Sequence, residues 1–209
     1  HYNTSWDVAK FEVCHHKFAD YSDFSKGVSI LNNCKYGFST HGNLMRLSLL
    51  RSAKAPDAHA DMGTHEIKYA IYPHMGSLST DTVRAAHDFN YIYNYPVPKT
   101  LTSQINDLLT IHGDENIVLS NIKRGEDDAE LESEYALEKK HERSIMVRVF
   151  ESLGGEAFGE LRTPLKVKEV YKIDNLELET FESVRVSVES ANFNSIPIHL
   201  KPFEIALYK

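Results

Sequence analysis

Short runs in which apolar and polar side chains alternate residue by residue constrain this chain more than any other feature. "AKFEVCHHKFAD", "VSILNNCKYGF", "LMRLSLLR" and "HEIKYAIYPH" follow one another in the first half. "NIVLSNIKR", "SIMVRVFES", "EAFGELRT", "VKEVYKID", "SVRVSVES" and "IPIHLKPFEIALYK" fill the second. Successive side chains of a strand point to opposite faces, so period two marks a sheet with one face buried and one solvated. Runs this short, separated by turn residues, predict antiparallel sheets and an all-β fold. The 11 Tyr and 10 Phe among 209 residues suit pleated surfaces.

Several local features follow from the same pattern. Phe11, Val13 and His15 are assigned to one face of the first run, and Glu12, Cys14 and His16 to the other. Gly27 is read as a turn breaker, Asn32-Asn33 as a bulge or tight turn, and Pro73 as the end of the fourth strand. "STDTVRAAHDFN" predicts one short helix capped by Ser79 or Thr80, with Asp81 in its first turn and Val83, Ala86 and Phe89 at helical spacing. "YNYPVPKT" is the linker candidate, which places a division near 96–104 and domains at 1–100 and 101–209. The charged stretch "GEDDAELESEYALEKKHER" has no apolar stripe and is expected to be an exposed, partly mobile hairpin loop.

Charge and cysteine usage exclude several classes. The net charge of −7 provides no basic footprint for nucleic acid or an anionic membrane as main partner. No run of about 18 apolar residues predicts a membrane span, and no signal peptide is visible. The chain opens at His1 inside structured-looking sequence, so it is expected to be a fragment. Cys14 and Cys34 sit in apolar runs without a CxxC partner and are expected to be buried free thiols.

Three places hold residues suited to chemistry. His15 and His16 are adjacent on a strand and point apart, so they cannot chelate one metal. One is expected to be packed or hydrogen-bonded and the other exposed. After "LMRLSLLR", Arg51 opens a loop containing Asp57, His59, Asp61 and His65, shaped by Pro56 and Gly63. The guanidinium fork of Arg51 suits hydroxyls or carboxylates, and Asp57, Asp61 and His65 could orient it or bind sugar hydroxyls. A solvated turn and a wall of a polar pocket both fit, and the residues alone favour the turn. His74, in "YPHMG", follows a proline at a strand end and could be aimed out of its sheet.

The ordered string "FEV", "GVSILNNCKYGF", "LSLLRS", "APD", "ADMGTHE" and "YAIYPH", closed by "SIMVRVFESLGGEA" and "LKPFEIALYK", resembles the post-catalytic region of glycoside hydrolase family 38 α-mannosidases. The similarity is nearest the cytosolic and vacuolar branch and covers essentially the whole chain. The resemblance implies the end of a large β-supersandwich to about residue 100, then a small antiparallel β-sandwich, with one short helix between. It implies a zinc-dependent, retaining hydrolase of α-mannosides, with an aspartate nucleophile and an acid/base carboxylate. Those groups and the zinc ligands belong to a preceding catalytic domain, and nothing in residues 1–209 matches their motifs. No catalytic residue and no metal ligand is therefore assigned here, and the zinc is expected outside this stretch. The family's arginine near the sugar cleft falls on Arg51, which becomes the leading substrate-side residue, with Asp61 and His65 after it. The acidic stretch 126–143 is expected to be peripheral to catalysis.

Implied partners are the preceding catalytic domain, α-mannoside oligosaccharides, further copies in a homo-oligomer and an autophagy cargo receptor. The implied location is the cytoplasm with delivery to the vacuole. The rival readings are a non-catalytic carbohydrate-binding module and an assembly or cargo-recognition β domain. A binding module usually presents a coplanar aromatic platform, and the single Trp6 lies away from the charged loop.

Overall fold

The computed structural model describes residues 5–6, 10–91, 108–126, 128, 143–177, 180–184, 187–189 and 193–209. The chain divides into two compact units, His1–Asn94 and Tyr95–Lys209. The division expected near 96–104 lies outside the described residues. Every sheet is antiparallel, so the all-β expectation holds. Among the described residues no helix is long and apolar enough to cross a membrane.

In the first unit β1 (Val13–Cys14), β4 (Gly37–His41) and β5 (Leu44–Leu47) form one sheet in the order β1-β4-β5. Strands β2 (Phe18–Ser22), β3 (Lys26–Asn32) and β6 (Tyr69–Met75) form another in the order β2-β3-β6. Helix α1 (Thr80–Asn90) packs on β3 through the buried side chains of Thr80, Thr82, Val83 and Ala86. Ser79 precedes it in extended conformation and makes no side-chain cap, although its carbonyl accepts the Thr82 N–H at 3.1 Å. The Asn90 amide donates to the carbonyls of Ala86 (2.8 Å) and Asn32 (3.1 Å), tying the helix end to the end of β3.

Several expectations are corrected in this unit. The first alternating run is two strands, because Lys17 stands at φ 67 and resets the pleat; β1 and β2 then join different sheets. The third run pairs only as far as Leu47, opposite Phe38, because β4 starts at Gly37 and offers no further partner beyond the bond from the Ser48 N–H to the Gly37 carbonyl. Pro73 lies within β6, opposite Val28. The Gly76 N–H bonds the Ser25 carbonyl, and antiparallel alternation then puts the 73/28 pair at a position that needs no N–H. Gly27 is not a turn breaker but the second residue of β3. Asn32 does close a tight turn, its side chain accepting the Lys35 N–H at 2.9 Å. Both cysteines are free, as expected, but exposed rather than buried: Cys14 is on an edge strand and Cys34 in the turn after β3.

In the second unit β7 (Thr110–Gly113), β10 (Ala157–Thr163), β13 (Ser187–Glu189) and β14 (Phe193–Leu200) form a sheet in the order β13-β14-β10-β7. Strands β8 (Ile117–Arg124), β9 (Ile145–Glu151), β11 (Val170–Ile173), β12 (Thr180–Val184) and β15 (Ile205–Tyr208) form the other in the order β12-β11-β15-β9-β8. One core joins the two sheets: Val147, Val149, Ala206 and Tyr208 meet Leu161, Ile196, Ile198 and Leu200. Period two is plain in β14, where Ile196, Ile198 and Leu200 are buried and Pro197 and His199 exposed. Strand β7 carries no such signal and was not anticipated. "SVRVSVES" spans the end of β12 and the whole of β13, which lie in different sheets.

One end of this sandwich is tied by a single carboxylate. Glu151, at the end of β9, is 2% exposed. It accepts hydrogen bonds from the Asn116 amide and from the backbone N–H groups of Leu153, Gly154 and Phe203. Most of the acidic 126–143 stretch lies outside the described residues. Asp128, near its start, is fully buried and accepts from the Arg124 guanidinium (2.7 and 2.8 Å) and the Ser144 N–H (3.1 Å).

Candidate functional site

The loop between β5 and β6 holds all three residues singled out by sequence. Its backbone is shaped by short-range bonds. Asp57 accepts the His59 N–H at 2.8 Å on its side chain and the Ala60 N–H at 3.3 Å on its carbonyl. Ser52 (φ 50), Asp61 (φ 57) and Gly63 (φ 130) all stand at positive φ. Such conformations suit glycine and tolerate Asp, whose short polar side chain bonds locally.

The structure brings Asp61 and His65 together and leaves Arg51 apart. The Asp61 carboxylate accepts the Ser52 N–H at 3.2 Å, closing the loop just after Arg51. The His65 Nε2 donates to the Asp61 carbonyl at 2.8 Å; a carbonyl only accepts, so Nε2 carries the proton. Arg51 is exposed and has no hydrogen-bond or ion-pair partner among the described residues. It stands four residues beyond β5 rather than at the strand end, so loop closure by Asp61 sets its position. The Asp61 carboxylate and carbonyl and the His65 Nε2 bond within the loop itself, whereas the five donors of Arg51 remain available to a ligand.

The other two places resolve differently. His15 donates through Nδ1 to the Tyr36 carbonyl (3.0 Å) and accepts at Nε2 from the Asn32 amide (2.7 Å), a satisfied neutral ring. His16 is exposed and stacks near Tyr36. His74 points inward, and its Nε2 meets the Asp20 carboxylate at 2.6 Å with both side chains under 10% exposed. Asp20 also accepts the hydroxyls of Ser22 and Ser29, each at 2.5 Å. Burial pushes the Asp20 carboxyl up, but the bonds from Ser22, Ser29 and His74 outweigh it and hold it below the ordinary carboxylate range. The His74 Nδ1 is buried with no partner among the described residues.

Sequence reasoning missed Asp20 and misread Gly27. A Cβ on Gly27 would stand 2.3 Å from His74 Cε1 and 2.5 Å from Ser22 Cβ. The glycine is the space the imidazole occupies. The available signal was register: Gly27 pairs with both Ser22 and His74. His74 also lines a concavity of about 860 Å³ whose walls include Tyr21, Val28, Ile30, Met45 and Ile71. Among the described residues no three His, Cys, Asp or Glu side chains converge as metal ligands. The chemistry on offer is hydrogen bonding by an exposed guanidinium on a braced loop.

Two stretches of the chain match known families of β domains found at the end of glycoside hydrolases. Residues 1–59 match the glycosyl hydrolases family 38 C-terminal domain. Residues 135–206 match the glycosyl hydrolases family 38 C-terminal beta sandwich domain. The chain belongs to glycosyl hydrolase family 38. It is 65% identical over 211 residues to an alpha-mannosidase of Saccharomyces cerevisiae, covering 100% of this chain and 20% of that protein. It is 38% identical over 216 residues to alpha-mannosidase G of Dictyostelium discoideum, covering 100% of this chain and 18% of the relative. With human alpha-mannosidase 2C1 the identity is 36% over 179 residues, 85% of this chain and 16% of the relative. The chain thus spans about a fifth of the length of these relatives.

Proposed function

We propose that this chain is the C-terminal β region of a zinc-dependent, retaining α-mannosidase that removes terminal α-mannosyl groups from free oligosaccharides and glycoproteins. The observation that carries the reading is the 65% identity to the yeast alpha-mannosidase along the whole chain. In this reading the first unit ends a large β-supersandwich, and the nucleophile, the acid/base and the zinc site belong to a preceding catalytic domain. No step of hydrolysis is assigned to this chain. Homo-oligomerisation, recognition by an autophagy cargo receptor and delivery from the cytoplasm to the vacuole belong to the same proposal and rest on the family resemblance.

The role left for this chain is on the substrate side. Arg51 reaches sugar hydroxyls from a loop held in shape by Asp61 and His65. Loss of one charge-assisted bond to bound sugar costs about 1–3 kcal/mol, or roughly tenfold to a hundredfold in kcat/KM. The test is hydrolysis of an aryl α-mannoside by the intact protein, its loss on chelation, and kcat/KM with the thermal midpoint for Arg51→Ala and Arg51→Lys. Lys keeps the charge without the fork and should recover part of the loss. A lowered midpoint with normal turnover by the folded fraction would make Arg51 a structural residue. Absence of hydrolysis would reject the mannosidase reading itself.

A further inference from the structure

The small sandwich opens at the end opposite Glu151. At the other end of β9 a cavity of about 540 Å³ reaches between the two sheets, a size typical of small-ligand pockets. Its floor is one end of the buried core, formed by Val147, Leu161, Ile196 and Tyr208, one residue from each of β9, β10, β14 and β15. One wall is the connection from β10 to β11, residues 164–169, which belongs to no ladder. Leu165 and Val167 are partly buried there, whereas Lys166 and Lys168 are exposed. This stretch has no partner strand among the described residues, and Lys166 and Lys168 stand among the residues that line the cavity.

Charge at the mouth runs against that of the molecule. In a chain of net charge −7, the lining includes the exposed Lys166 and Lys168 with one acidic side chain, Glu169. Glu169 is already engaged by the Tyr171 hydroxyl at 2.6 Å. Lys166 and Lys168 have no ion-pair partner among the described residues.

We propose that this cavity binds a small amphipathic anion. Its apolar body enters between the sheets toward Val147, Leu161 and Ile196, and its carboxylate or phosphate head rests between Lys166 and Lys168. Burial of apolar surface supplies the attraction, and the cationic rim selects the head group.

Hydrogen exchange on the intact protein tests this, with dodecanoate and dodecyl phosphate as anionic probes and dodecyl maltoside as the neutral probe of equal chain, all below micelle formation. At least one anion should slow exchange in residues 163–171 and 143–147 in a saturable way, and whichever does identifies the head group. Dodecyl maltoside should need at least roughly tenfold higher concentration. Lys166→Glu with Lys168→Glu should weaken the anion effect about tenfold. Should that pair lower the thermal midpoint, Lys166→Gln with Lys168→Gln replaces it. Protection absent with both anions, equal protection by the neutral probe, or unchanged protection in the folded charge variants would each overturn the proposal.

Discussion

Glu151→Gln changes one oxygen to an amide nitrogen and should destabilise the second unit well beyond the loss of a surface charge. Among the described residues no cation pairs with the carboxylate. Its Oε1 accepts the Asn116 amide at 2.7 Å and the Leu153 N–H at 2.8 Å; its Oε2 accepts the N–H groups of Gly154 at 2.7 Å and Phe203 at 2.8 Å. Burial pushes this acid up, yet the four donors outweigh it and bring it from 4.5 to about 2. At about 1.4 kcal/mol per pH unit the difference bounds the contribution at about 3 kcal/mol. The group lies just under the surface, and solvent screening reduces this to about 1–2 kcal/mol. A glutamine also turns an NH₂ toward two donors, leaving both without an acceptor, so the total cost should be about 2–4 kcal/mol.

The sign of the pH dependence follows from the depressed acid. Its contribution is complete above the unfolded value near 4.5 and is lost as pH falls toward about 2. The assay is hydrogen exchange of amides in β9 and β10 under increasing urea, for the native protein and Glu151→Gln, at pH 7 and at steps down to pH 3. The gap between the two should be widest at pH 7 and narrow below 4.5. A gap under about 0.5 kcal/mol at pH 7, within the range of ordinary surface substitutions, would refute the reasoning. So would a gap that does not change with pH.

Gly27→Ala should cost about 2–3 kcal/mol, because the new methyl falls on His74; a normal thermal midpoint with an unshifted His74 ring resonance would contradict the account of that glycine. Asp61→Ala should lower the midpoint modestly and raise KM by displacing Arg51, with Asp61→Asn restoring much of both, since Asn also tolerates positive φ and retains an acceptor. The Asp20 carboxyl is held low in the folded state. Asp20→Asn should therefore lose most stability above the ordinary carboxylate range, and the difference from the native protein should shrink as pH falls through it. Cys14 and Cys34 are both exposed, so two thiols per chain should alkylate under native conditions; protection of either would contradict its place in the fold.

Sheet class, the helix and most strands were legible because burial on one face imposes period two on strands and period 3.6 on helices. Strand β14 and helix α1 are the clearest cases. What escaped depends on backbone sign or on partners distant in sequence. Lys17 looks like any residue in an alternating run, and nothing local announces φ 67. Strand β5 stops at Leu47 because its neighbour runs out, a property of β4. Pro73 was read as a stop by the rule for central strands, and only the edge position of β6 lifts that rule. The loop residues were legible as a group, but their division into Asp61 and His65 as braces and Arg51 as the presented side chain depends on the positive-φ backbone and the bonds across the loop. Asp20 was invisible because its partners, Ser29 and His74, lie 9 and 54 residues away.

Lys17 has a further consequence. Its carbonyl accepts the Asn32 N–H at 2.9 Å, and its ammonium lies 4.7 Å from the centre of the Tyr91 ring. The reversal of the chain at this residue is thus held from both β3 and the end of the helix. Because the pleat is reset there, the phase of β1 is insulated from that of β2. Removing one residue upstream would slide Val13 along Phe38 and turn the short β1 over. Asp20 would remain opposite Ser29, and the buried acid would keep His74. The joint allows the segment before it to drift in length while the sheet after it stays in step.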